Sequence, residues 1–156
     1  MYSVYKLKIC NLLKLLNVSK ILYKCGKDMA TKQDLHHWDN SHFKNWIIVI
    51  LCALKNDIYL VYNNNKPIAT FQTRKLGQSY LFQKLATLPE CAGTGIGSFC
   101  INEIERLGKE AGCKEVICEV YEKSVHAIEF YKHRGYVAYE TVDTLKYKEL
   151  KLRKEL

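Results

Sequence analysis

Leucines 12, 13 and 16, with lysines set between them, give the first regular pattern of the chain and predict a helix over Leu12–Tyr23. A short strand, Tyr5–Cys10, precedes it. The stretch Lys27–Asn40 is polar enough to read as a connector, although Met29 and Trp38 within it call for packing partners. Ser41 is placed to cap a helix running to about Leu54, because a serine oxygen can accept from the unpaired N–H groups of a first helical turn. Asp57–Tyr62 and Pro67–Gln72 flank Asn63-Asn64-Asn65-Lys66 and predict a hairpin. A further strand is expected over Ser79–Leu88, then a helix to about Ala111, a break at Gly112, and a β-branched strand over Glu115–Val120. Ser124 is the expected N-cap of a second short helix, and alternating polarity predicts closing strands over Tyr136–Val142 and Lys146–Leu152. No repeat or low-complexity tract interrupts this order.

A strand, a helix and a second strand in succession require a parallel βαβ crossover around residues 79–120, so the fold class is α/β with a mixed sheet. Between the strand and the helix lies Leu88-Pro89-Glu90-Cys91-Ala92-Gly93-Thr94-Gly95-Ile96-Gly97-Ser98. Glycines let a backbone approach a ligand closely, and a helix N-terminus directs unpaired N–H groups and a positive dipole end at an anion. The loop therefore reads as a pyrophosphate cradle. A Walker A loop would end in Gly-Lys-Ser/Thr, whereas Gly97-Ser98-Phe99 has no lysine; a dinucleotide fingerprint would bring its third glycine one residue later. Downstream, Ala127-Ile128-Glu129-Phe130-Tyr131-Lys132-His133-Arg134-Gly135-Tyr136 is a short helix with Ala127, Phe130 and Tyr131 on one face and Gly135 suited to a C-terminal cap.

The glycine loop followed by a tyrosine-bearing helix resembles the GNAT superfamily of N-acyltransferases, which bind acyl-coenzyme A on a Gln/Arg-x-x-Gly-x-Gly/Ala loop. The matching residues are Ala92-Gly93-Thr94-Gly95-Ile96-Gly97, with Ala92 standing where the family usually has Gln or Arg. The resemblance covers Asp57–Leu156 well and Lys27–Lys55 more loosely. It implies a GNAT-like αβα domain over residues 1–156, acetyl-CoA as donor held by Ala92 to Ser98, and a pantetheine arm lying between splayed parallel strands. It further implies that the backbone of Ala86 to Leu88 bonds the pantetheine amides, with an amide near Leu88 polarising the thioester carbonyl. Ser124 stands where the family often has an asparagine on the cofactor; its hydroxyl could equally cap the helix.

Direct transfer from a thioester to an amine needs a neutral nucleophile, a stabilised oxyanion and a proton for the departing thiolate. Tyr131 is the candidate general acid, since a phenol stays protonated at neutral pH, although the same spacing also suits a core aromatic. The strand Ser79–Leu88, where several relatives carry a catalytic glutamate, has Tyr80 and Lys84 and no acid. Glu119 is the candidate base, with Glu122 and His126 as neighbours that could act directly or through water. The acceptor that the resemblance implies is a primary amine, small or peptidic, that no motif identifies.

Composition narrows the alternatives. The seven cysteines lack Cys-x-x-Cys spacing and are odd in number, which suits free thiols in a reducing cytosol rather than a disulfide or zinc framework. Cys91 beside the loop could be a nucleophile, but no histidine is placed by sequence to serve it. His36, His37 and His42 lack the companions a metal site needs, so no metal is expected. The longest apolar run, Trp46–Leu54, is nine residues, against about 20 for a membrane span. The segment Lys6–Leu22 is interrupted by lysines and asparagines and lacks a signal peptide's apolar core. The net charge of +8 divides into +5 over residues 1–30 and +3 over 146–156. Solvated lysines on a helix and a strand account for it more simply than nucleic-acid binding, and a positive field would favour encounter with a polyanionic cofactor. Two further readings stay open: a coenzyme A-binding module without turnover, and a nucleic-acid binder using the terminal lysines. The C-terminal strands also offer an exposed edge along which two copies could pair as a homodimer.

Overall fold

The computed structural model describes residues 1–156. Its elements follow in the order β1 (Tyr2–Leu7), α1 (Leu12–Gln33), α2 (His42–Ala53), β2 (Asp57–Asn63), β3 (Lys66–Leu76), β4 (Ser79–Thr87), α3 (Ile96–Glu110), β5 (Glu115–Tyr121), α4 (Val125–His133), β6 (Val137–Asp143) and β7 (Lys148–Glu155). The strands make one mixed sheet in the order β1-β2-β3-β4-β5-β7-β6, the α/β architecture that the succession of patterns predicts. No helix is long and apolar enough to cross a membrane.

The chain divides into two compact units, Met1–Arg74 with Lys84–Glu103, and Lys75–Gln83 with Ile104–Leu156. In the first, β1, β2 and β3 pair antiparallel in succession, and Asn64 at φ +53° turns the β2–β3 hairpin. Leu60, Val61, Ala69 and Phe71 are fully buried there, as are Leu15 and Val18 of α1 and Val49 of α2. In the second, Ser79–Phe82 of β4 pair parallel with Glu115–Cys118 of β5, and β7 pairs antiparallel with both β5 and β6. Ile104, Val116 and Leu152 are fully buried in that unit, and Phe82, Cys118 and Tyr136 nearly so.

Several boundaries differ from the sequence expectation for local reasons. β1 spans Tyr2–Leu7 rather than Tyr5–Cys10, because the Lys8 amide bonds Asn11 Oδ1 at 2.9 Å and the Asn11 amide returns to the Lys8 carbonyl, turning the chain after Leu7. α1 continues ten residues past Tyr23 to Gln33, so the first half of the expected connector is helix. Its buried stripe Leu15, Val18, Leu22, Cys25 and Gly26 keeps helical spacing through a segment whose exposed faces are polar. Gly26 sits in that stripe because a Cβ there would lie 2.3 Å from the Trp38 carbonyl oxygen. Asp34, in the left-handed region at φ +55°, ends the helix. Ser41 caps α2 as expected, its Oγ accepting from the Lys44 amide at 3.2 Å. β7 starts at Lys148 rather than Lys146, after a turn in which Thr144 Oγ1 accepts from the Tyr147 amide.

Candidate functional site

In the first unit, β4 ends at Thr87 and the chain does not enter the glycine loop directly. Leu88 is followed by one 3₁₀ turn, Pro89–Cys91, and then Ala92 extends. Gly93 and Gly95 take φ +75° and +83°, a region that glycine alone enters without strain, while Gly97 lies within α3. A Cβ at either Gly93 or Gly95 would meet nothing within 4 Å, so the requirement is for backbone conformation and for an open face. Thr94 holds the loop together through its Oγ1, which donates to the Cys91 carbonyl at 2.7 Å. Tyr2 packs its ring against Phe99 at 5.1 Å.

Buried Ile96, Cys100 and Ile101 fix the first turns of α3, so the loop presents a helix N-terminus held from beneath. The amides of Gly93, Gly95, Ile96 and Gly97 donate to no protein acceptor, and Ala92, Gly93, Thr94 and Gly95 are exposed. Four unpaired donors with the positive end of a 15-residue helix match the needs of a diphosphate, so the residues present fit the nucleotide that the resemblance implies. Ala92 contributes no cation. At the loop's entry Lys24 and Lys66 lie 3.4 and 3.9 Å from the Glu90 carboxylate. A hydrogen bond from its own backbone, with help from these lysines, holds the Glu90 carboxyl below the usual range.

The strand end that leads into the loop is tightly tied. The Leu88 amide donates to the Ile68 carbonyl at 2.8 Å, and the Leu88 carbonyl accepts from Cys91. Leu88 N–H is therefore already committed and cannot also serve as an oxyanion donor. The Cys25 thiol of α1 donates to the Thr87 carbonyl at 2.9 Å. Burial, with the nearby Asp28 and Glu90 charges, pushes that thiol up to about 12. Ala86 is buried between these ties.

Also in this unit, Lys84 of β4 is half-buried and adopts φ +51°, and its Nζ lies 5.9 Å from the centroid of the Trp38 ring. His37 is beside it; burial first, then the Lys84 charge, lowers the imidazole below its ordinary value. Asp39 pairs with Lys27 at 2.6 Å, and His36 lies between Asp34 and Asp39. His42 stacks on Tyr23. The three histidines thus have separate surroundings. The Lys84–Trp38 pairing joins residues 46 apart in sequence, and only the unexpected absence of an acid on the strand pointed to that position beforehand.

In the second unit, Tyr131 of α4 is buried, 8% exposed, with its ring edge-on to Phe82 of β4 at 5.5 Å. The cap behind it is the one Gly135 predicts: at φ +87° this glycine lets the Tyr136 amide return to the Tyr131 carbonyl and the Gly135 amide to Lys132. The buried face of α4 is Ile128 and Tyr131, with Ala127 and Phe130 less deeply placed. Ser124 is buried, but its hydroxyl makes no cap bond, so the expected capping duty falls to its carbonyl, which accepts from Ile128. Glu119 is exposed on β5, opposite Lys151 of β7; Glu122 and His126 lie on the loop and first turn that follow. Tyr80 is core, its Cβ beneath Gly108. Tyr136 Oη donates to Glu105, which Lys154 also grips at 2.9 Å, and burial raises the phenol.

Over residues 17–136 the sequence matches the model of the acetyltransferase (GNAT) family. Solved structures share the fold. The PaiA N-acetyltransferase from Thermoplasma acidophilum, in complex with coenzyme A, is 17% identical, with a TM-score of 0.71 over 100% of this chain and 99% of that one. The ribosomal-protein-S18-alanine N-acetyltransferase from Escherichia coli is 13% identical, with a TM-score of 0.70 over 99% and 94%. An acetyltransferase from Thermus thermophilus is also 13% identical, with a TM-score of 0.72 over 100% and 97%. No curated protein matches the sequence. A family model spanning most of the chain, on a mixed α/β fold shared with solved acetyltransferases, makes this protein a member of the GNAT family of acetyltransferases.

Proposed function

We propose that residues 1–156 act as one acetyltransferase domain, moving the acetyl group of acetyl-CoA to a primary amine by direct attack in a ternary complex. The observation that carries this reading is the set of unpaired amides at Gly93, Gly95, Ile96 and Gly97, within the segment that matches the family. These amides, set in the loop that Ala92, Thr94 and Ser98 complete, would hold the diphosphate, and the backbone around Ala86 and Leu88 would lie along the pantetheine arm. Bound acetyl-CoA supplies an activated thioester.

The chain's own residues supply the rest. Tyr131 Oη holds a proton for the departing thiolate; its burial against Phe82 and the cap at Gly135 keep the phenol in one orientation. Ser124, buried at the start of α4 with no cap bond from its hydroxyl, is available to the cofactor. Glu119 is the proposed base, and its exposure suits removal of the amine proton through a water.

One observation favours a second reading, a coenzyme A-binding module without turnover: β4 carries no carboxylate. The two readings part on free thiol released from acetyl-CoA across a panel of primary amines, with coenzyme A binding followed by calorimetry. Release with at least one amine supports the transferase. Tight binding without release from any amine leaves the binding module, and no binding at all overturns both.

A further inference from the structure

We infer that Lys84 is a specificity residue for the acceptor, and that the amine this protein acetylates carries a carboxylate. The inference rests on the acyl-transfer reading above and names the substrate class of that same site.

Three observations on one strand end carry it. First, Lys84 lies two residues before Ala86, whose backbone the proposal sets along the thioester-bearing arm; in a strand two residues span about 7 Å, within the reach of a lysine side chain. Second, its ammonium group has no counter-ion. No carboxylate lies within ion-pair distance of Nζ, and its neighbours are the Trp38 ring at 5.9 Å and the His37 imidazole. The acid next to Trp38 in sequence, Asp39, is already bound to Lys27 at 2.6 Å. A solvated lysine without a partner is ordinary, but a half-buried one leaves part of its hydration unreplaced until an anion arrives. The aromatic face tolerates the charge without neutralising it. Third, Lys84 holds φ +51°, shared among non-glycine residues only with Asp34 and Asn64, whose short polar side chains suit that region. A long side chain held in a strained backbone conformation is one whose direction the fold has fixed, and such residues concentrate at ligand sites.

An acid at this position would attract cationic acceptors; a lysine repels a second ammonium and selects a carboxylate near the amine. Trp38 supplies a flat apolar wall beside it. Amino acids and their derivatives with a free carboxylate therefore fit, while polyamines and peptide amides do not.

The test is thiol release from acetyl-CoA with matched amines: phenylalanine against phenylalaninamide and phenethylamine, and lysine against cadaverine. The carboxylated member is expected to show a kcat/KM about ten- to a hundredfold higher, the range of a hydrogen bond to a charged group. Lys84→Gln should bring the ratio close to one, Lys84→Glu should reverse it in favour of cadaverine, and Lys84→Arg should keep it. A ratio near one in the wild-type protein, or one unchanged in Lys84→Gln, overturns the inference while leaving the acyltransferase in place. Should the variants not fold, competition in the wild-type protein decides. 3-Phenylpropionate is expected to compete with the acceptor, and equal competition by its amide overturns the inference. Coenzyme A binding with no thiol released from any amine overturns the acyl-transfer reading, and the inference with it.

Discussion

Tyr131 and Gly95 illustrate what single positions contribute. If Tyr131 holds the proton for the departing thiolate, Tyr131→Phe should lower kcat about a hundredfold with coenzyme A affinity nearly unchanged, since the ring contacts with Phe82 survive. Equal turnover of the two proteins would remove Tyr131 from the mechanism. Gly95 stands at φ +83° with open space where a Cβ would be, so Gly95→Ala carries no clash and only the left-handed backbone cost, about 1 kcal/mol. Calorimetry should find coenzyme A weakened about fivefold in Gly95→Ala and less in Gly95→Asn, because asparagine enters this region more readily. The left-handed turns at Gly93 and Gly95 were legible in the sequence because a backbone requirement is written directly in residue type. Lys84 beside Trp38 was not, because that pairing depends on how the chain after α1 folds back along β4. Nor could the sequence show that the Leu88 amide is occupied by Ile68, a bond between two strands.

Elements were legible where periodicity and punctuation agreed. Ser41 marked the start of α2 and Gly135 the end of α4, both through specific hydrogen bonds. The second half of α1 is not legible in the sequence, because polarity after Tyr23 resembles a loop while the residues that keep the helix packed, Cys25 and Gly26, are small. Gly26→Ala tests this account. Its Cβ would be 2.3 Å from a backbone oxygen that cannot swing aside, so overpacking should cost about 2 kcal/mol, read as a lower denaturant midpoint with unchanged m-value. The 3₁₀ turn Pro89–Cys91 was likewise hidden: the expected strand ran straight to the loop, whereas proline removes a donor and lets the chain tighten after Leu88.

At the level of the whole chain, buried thiols set the response to alkali. Burial pushes Cys25 and Cys100 up to about 12 and raises Cys118 also. In the unfolded chain a thiol ionises near 8.5. Between those values the folded state keeps protons that the unfolded state has lost, so this contribution is fully present below about pH 8.5 and declines as pH rises toward 12. Thermal melts should therefore show falling stability from pH 8 to 9.5, by up to about 1.4 kcal/mol per pH unit for each thiol, with a shallower decline in Cys100→Ala. The surplus of positive charge at residues 1–30 and 146–156 adds a kinetic expectation: association with polyanionic coenzyme A should slow as salt increases, while an uncharged pantetheine analogue should not respond.

One sulfur differs from these. Cys10, in the turn that closes β1, is exposed, while Cys25, Cys100, Cys113 and Cys118 are buried. Stored in air, two molecules would join through it, and a non-reducing gel would show a band of doubled mass that Cys10→Ser abolishes. Handling this protein without a reductant would thus manufacture a covalent pair that owes nothing to its fold.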